Sequence, residues 1–158
     1  MTQPLSDKRP GWHWTDYWRG GREEVMTVNT ATGTVTFETR TIWRDWFADF
    51  DTGAVLLDLA TGSGQVAGYA VSTAAAGGKA FEIIGVDYAE VAPLSGCSLL
   101  GCVALEKLPF PASHFDGASS QFGIEYADSR LALAEVSRVL KPGGRALFLV
   151  HHADSAIT

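Results

Sequence analysis

The sequence predicts an α/β domain built on a parallel sheet, and three observations predict it. From residue 54 onward, short apolar runs of strand length alternate with helical stretches, the pattern of parallel strands joined by crossover connections. A glycine turn at Gly62 and Gly64 follows the first of these runs. A Lys141-Pro142-Gly143-Gly144 stop then separates the last helical stretch from the last apolar run, because proline cannot continue a helix and glycine accepts a left-handed turn.

Taken in order, residues 1–11 read as a polar leader ending at Pro10-Gly11, followed by the aromatic group Trp12, Trp14, Tyr17 and Trp18 and by Gly20-Gly21. Residues 38–50 carry Ile42, Trp43, Trp46, Phe47 and Phe50 close to helical spacing, which predicts an amphipathic helix ended by Asp51-Thr52-Gly53. Residues 1–53 therefore read as an aromatic-rich helical segment, its aromatic group either a lid over a site or packing on the sheet. Residues 54–158 read as the core of the same compact domain. Within that core, 54–59 is a buried strand, 65–76 a helix closed by Gly77-Gly78, and 81–86 a second strand. Residues 99–105 make a weak third strand and 115–121 a fourth. Residues 130–140 form a helix with Ala132, Val136, Val139 and Leu140 on its apolar face, and 145–150 a fifth strand. The link from Asp87 to the third strand contains Pro93 and Gly96 and is short enough to be a loop or a single helical turn.

Composition narrows the function classes. A chain of 158 residues with 46% apolar and 19% charged residues is an ordinary globular domain. The net charge of −6 leaves no broad basic surface, so a nucleic-acid partner is not expected. Two cysteines, Cys97 and Cys102, and four histidines, His13, His114, His151 and His152, make neither a disulfide framework nor a zinc spacing, and no metal is expected. No apolar run reaches the roughly 18 residues of a membrane span, and the start lacks the apolar run of a secretion signal, so a cytoplasmic protein is expected.

Four motifs carry chemistry. The first, Leu57-Asp58-Leu59-Ala60-Thr61-Gly62-Ser63-Gly64, closes the first strand and opens a helix. Its glycines let backbone approach a ligand closely, but the same turn fits dinucleotide binding, where phosphates sit on the helix N-terminus. Asp58 separates these readings: a carboxylate there repels a pyrophosphate and suits a cationic ligand, unless it is simply buried and satisfied by local donors. The second motif ends the second strand at Asp87, followed by Tyr88. A carboxylate at that tip can accept both hydroxyls of a ribose, and Tyr88 can lie against a base; a turn cap and plain packing are the structural alternatives. The third is Leu105-Glu106-Lys107-Leu108-Pro109-Phe110 followed by His114-Phe115-Asp116, and the fourth runs from Glu135 through Arg138 to Gly144.

In their order and spacing these motifs resemble the class I S-adenosylmethionine-dependent methyltransferases of the small-molecule type, over residues 54–151. The resemblance implies a Rossmann-like, doubly wound parallel sheet of about five strands in the order 3-2-1-4-5. It implies S-adenosylmethionine as cofactor, with Asp58, Ala60, Thr61, Gly62 and Gly64 around its methionine part and Asp87 on the ribose. Tyr88, Leu105 and Glu106 would border the adenine, and Gln121 and Phe122 would follow the fourth strand beneath the sulfonium. Two departures stand out. Ala104 occupies a position that often carries an Asp reading the adenine amino group. Family members also continue past the fifth strand into a helix and two more strands, whereas only residues 153–158 follow here. The chain thus reads as C-terminally truncated, with an open fifth-strand edge that favours a homo-oligomer.

The implied reaction is methyl transfer to a small-molecule acceptor by in-line displacement, in which the protein supplies proximity and water exclusion. A base is needed only if the acceptor must lose a proton. Glu125, Tyr126, His151 and His152 fall at strand carboxyl ends, where open α/β sheets place ligands, and His151 or His152 is the candidate base. Two alternatives remain: a nicotinamide-dependent oxidoreductase, and a truncated domain that binds cofactor without catalysis.

Overall fold

In the computed structural model, residues 25–30 and 33–152 are described, with side chains from Glu38 onward. The leader, the aromatic group Trp12, Trp14, Tyr17 and Trp18, and residues 153–158 lie outside the described residues. In chain order the elements are β1 (Val25–Thr30), β2 (Gly33–Glu38), α1 (Thr39–Ala48), β3 (Val55–Leu59), α2 (Gln65–Ala76), β4 (Glu82–Val86), β5 (Ser98–Leu100), β6 (Phe115–Gln121), a 3-10 turn (Ile124–Tyr126), α3 (Ser129–Val139) and β7 (Leu140–Leu149).

Five strands pair in parallel in the order β5-β4-β3-β6-β7. Counted from β3 this is the order 3-2-1-4-5 of the Rossmann-like fold. The central strand β3 is apolar on both faces because both are covered, as parallel sheets require. Leu57 and Leu59 point into one layer with Val86, Phe115, Val136 and Val139. Leu56 points the other way, into Trp43, Phe47, Val66, Ala67 and Ile83. Helices α1 and α2 therefore cover one face and α3 the other, and the strand tips that carry the site emerge between them.

Several boundaries differ from the sequence reading, each for a local reason. Helix α1 starts at Thr39, and its buried stripe is Trp43 and Phe47, with Ile42 turned to solvent at 41% exposure. The third strand stops at Leu100 rather than running to 105, because Cys102 takes a left-handed conformation (φ +59) that a strand cannot contain. Helix α3 ends at Val139, one residue early. Leu140 is already extended and pairs with Phe115, and the ladder resumes with Arg145 opposite Gly117. Lys141-Pro142-Gly143-Gly144 is thus an irregularity inside β7, not a linker ahead of it. The segment between β4 and β5 is a loop.

The antiparallel hairpin of β1 and β2, with Val25 opposite Glu38 and Thr30 opposite Gly33, has no counterpart in the sequence reading. Its signal was present, since Val25, Thr27, Val28, Thr34, Val35 and Thr36 are the β-branched residues that favour strands. No helix among the described residues is long and apolar enough to cross a membrane.

Candidate functional site

β3 ends at Leu59 and the chain bends at once. Ala60, Gly62 and Gly64 all take left-handed backbone (φ +53, +56 and +81) before α2 begins. Glycine adopts that conformation freely, whereas for alanine it costs about 1–2 kcal/mol. The bend is fastened to the neighbouring strand: the Thr61 N–H donates to the Val86 carbonyl (2.9 Å) and the Gly62 N–H to Oδ2 of Asp87 (2.8 Å). Oδ1 of Asp87 accepts the N–H of Ala89 at 2.8 Å. Asp87 therefore couples the bend after β3 to the loop after β4. An ionised carboxylate has about four acceptor positions, so these backbone bonds still leave it acceptor capacity for a ligand. Burial lifts the Asp87 carboxyl above the ordinary range, against the pull of the Ala89, Gly62 and Tyr88 backbone N–H groups.

Asp87 opens onto a cavity of about 370 Å³ at the carboxyl ends of β3, β4 and β6, a size suited to a small ligand. Of the residues singled out in the sequence, Ala60, Asp87, Tyr88, Ala104, Leu105, Glu106, Phe122 and Tyr126 line it together. Gly123 and Ala127 complete the wall. Its two charged residues, Asp87 and Glu106, are both acidic. Glu106 is held by its Oε1, which accepts the N–H of Asp128 at 2.8 Å. Phe122, like Ala60, is strained into the left-handed region (φ +52). Gly123 beside it has no room for a side chain, because a Cβ there would overlap the methyl of Ala60. Such strain persists where the surroundings enforce it, and it concentrates at ligand sites.

Asp58, Thr61, Gly62, Gly64 and Gln121 do not line this cavity. Asp58 faces the α2 side of the sheet and is 3% exposed. Its Oδ2 accepts from the Thr61 hydroxyl (2.6 Å) and its Oδ1 from the Ser119 hydroxyl (2.8 Å). Burial pushes its carboxyl up to about 6; the Thr61 and Ser119 hydroxyls and the Ala67 backbone pull it down, and the like charge of Asp87 raises it further. Asp58 is thus the underside of the bend, and its carboxylate is used on protein donors. Gly62 and Gly64 shape the bend without walling the cavity. Gln121 accepts from the Trp43 indole (2.6 Å) and donates to Gln65 Oε1 (3.0 Å), which fastens the tip of β6 to α1 and α2.

The two candidate bases separate. His151 stacks flat on Phe122, with ring centroids 4.5 Å apart and planes 12° from parallel, and its Nδ1 lies 3.1 Å from Oε1 of Glu125. His152 is exposed. Missed in the sequence were the wall residues Gly123 and Ala127, on either side of the Glu125 and Tyr126 already singled out. Their position just past the carboxyl end of a central strand was the signal that could have found them.

Comparison with known proteins bears on the family and the fold. The family model for methyltransferase domains matches residues 57–148. The ubiquinone/menaquinone biosynthesis C-methyltransferase UbiE of Geobacter sulfurreducens is 36% identical over 109 residues, covering 61% of this chain and 41% of that protein. The demethylmenaquinone methyltransferase of Staphylococcus carnosus is 30% identical over 128 residues, covering 73% of this chain and 52% of its own. The chain thus spans about half or less of the length of these curated relatives. Among solved structures, YcgJ of Bacillus subtilis (24% identity, TM-score 0.60) covers 73% of this chain and 51% of its own. The [4+2]-cyclase SpnF (21% identity, TM-score 0.63) covers 92% and 60%. These two share the fold, and because SpnF is a cyclase the fold alone does not name a reaction. With the family match spanning more than half of the sequence, this chain belongs to the class I S-adenosylmethionine-dependent methyltransferase family.

Proposed function

We propose that the cavity beside Asp87 binds S-adenosylmethionine and serves methyl transfer to a small aromatic acceptor. One observation carries the reading: a buried, backbone-anchored carboxylate with spare acceptor positions opens into a cavity whose charged residues are both acidic. That wall suits a cationic nucleoside and opposes the pyrophosphate of a nicotinamide cofactor. Bound there, S-adenosylmethionine supplies an already activated methyl group. The protein's part is to hold and to exclude water. Asp87 accepts the ribose hydroxyls. Tyr88 and Leu105 flank the flat base, and with Ala104 in place of a polar residue the base rests on apolar contact and backbone groups. Ala60, Phe122 and Gly123 close the inner wall. The acceptor class follows the relatives, one named for ubiquinone/menaquinone biosynthesis and the other for demethylmenaquinone.

Calorimetric titration of this chain with S-adenosylmethionine, S-adenosylhomocysteine and NADH tests the proposal. Binding of the first two but not the third is expected. Asp87→Ala weakens that binding by roughly 1.5–3 kcal/mol, the worth of hydrogen bonds to a charged group. Tight NADH binding without the thioether, or an affinity indifferent to Asp87→Ala, refutes it.

A further inference from the structure

Beside the cavity stands a second constellation that cofactor binding leaves unused. His151 follows the end of β7, and its imidazole lies against Phe122, a wall residue of the cavity; Tyr126, another wall residue, meets it edge-on at 6.5 Å. Oε1 of Glu125 accepts the backbone N–H of His151 (3.1 Å) and lies 3.1 Å from its Nδ1. A carboxylate can only accept. Nδ1 therefore carries the proton, and in the neutral ring the lone pair is on Nε2. Oε2 of Glu125 is buried and has no hydrogen-bond partner. A buried acceptor left without a donor asks for an explanation, and a ligand group is one.

We infer that Glu125 and His151 form an acid–base pair for the acceptor, which is a hydroxylated aromatic ring. This rests on the methyl-transfer reading above and names the substrate chemistry of that site. Tyr126, 59% exposed at the cavity wall, offers an aromatic face for the ring. The O–H bond of the ring hydroxyl breaks and an N–H bond forms at Nε2 of His151. The electron pair left on oxygen enriches the adjacent ring carbon, as carbon methylation requires. Glu125 balances the imidazolium that results, as a carboxylate orients and stabilises a histidine base elsewhere. His151 is the catalytic residue and Glu125 the positioning residue. His152 is exposed and takes no part.

The probe is 4-nitrocatechol, whose ionised form absorbs in the visible, titrated into this chain one pH unit below the ionisation of the free probe. The expected result is a rise of that band on binding, above the level of the free probe. His151→Ala abolishes the rise, and added imidazole restores it. Glu125→Gln, whose amide oxygen still accepts from Nδ1, leaves the probe bound but cuts the band per bound probe severalfold. A purely structural role for Glu125 would lower the amount bound and leave the band per bound probe unchanged, which overturns the assignment. So does a rise of the ionised band that survives in His151→Ala, or no binding of the probe at all. S-adenosylhomocysteine is titrated into the same samples. Binding of the thioether with no rise in the ionised band defeats the acid–base pair alone, and loss of thioether binding in the unaltered chain defeats the methyl-transfer reading instead.

Discussion

Ala60 holds a conformation that glycine would hold without strain, and its methyl fills the space that a side chain at Gly123 would need. These facts make a coupled pair across the cavity floor. Ala60→Gly removes a strain of about 1–2 kcal/mol and loses about 0.4–1 kcal/mol to the freer unfolded chain. A net gain of roughly 0.5–1 kcal/mol in denaturant unfolding is expected. Gly123→Ala alone forces a methyl onto a methyl and destabilises by about 1–3 kcal/mol. With both changes made, the nearest atoms to the new Cβ are the carbonyl oxygen and Cα of residue 60, at 3.5 and 3.6 Å. Those are ordinary contacts, so the double variant recovers most of the loss. Additive effects across the cycle would show that the two positions do not touch. None of this was legible in the sequence. Sixty-odd residues separate the partners, and only the pairing of β3 with β6 brings them together. The glycine bend itself was legible, because left-handed turns are written locally in Gly62 and Gly64.

Helix α3 acts on the cavity through a clamp on the loop that forms its outer wall. Glu135 accepts the N–H of Leu108 through Oε2 (2.7 Å) and pairs with Arg138, which donates to the carbonyls of Phe110 (2.8 Å) and Leu108 (3.1 Å). The Arg138 hydrogen bond holds the Glu135 carboxyl down at about 2. A lowered carboxylate gives stability above the unfolded value near 4.5 that is lost as pH falls towards 2. Glu135→Ala frees the loop at Leu108, at a cost of about 1 kcal/mol in stability for the hydrogen bond lost. It also weakens cofactor binding through Leu105 and Glu106, in the calorimetric assay used for Asp87. Unchanged affinity with lowered stability would separate the clamp from the site. The helix was predictable from its apolar stripe at Ala132, Val136 and Val139. The clamp was not, because nothing in the spacing of Glu135 and Arg138 says which carbonyls lie opposite. The hairpin of β1 and β2 is written in its β-branched run, which has a strand's composition but, in β1, no strict alternation of apolar and polar residues.

For the chain as a unit, the buried acids set the pH dependence, and Asp58 dominates it. Its folded carboxyl sits at about 6 against 3.8 for a free one, with burial as the main cause. Between those values the folded state holds more protons than the unfolded one, so stability falls as pH rises through that window and then levels off. The shift corresponds to roughly 3 kcal/mol at most. Asp87 is displaced the same way, while Glu135 and Asp116 are displaced downward and act at lower pH. Stability is therefore greatest on the acid side of neutrality. In urea titrations from pH 4 to 7, Asp58→Asn flattens the decline that the unaltered chain shows. The same acids link protons to ligand charge. A cation in the cavity favours the ionised forms of Asp87 and, behind it, Asp58, so binding S-adenosylmethionine near pH 6 releases protons. Neutral-sulfur S-adenosylhomocysteine lacks that charge and releases fewer. Calorimetry of each ligand in two buffers of different ionisation enthalpy measures the difference directly. A larger release with the thioether, or none with either, would mean that the buried carboxylates do not respond to the sulfur's charge and that the acidic wall is structural.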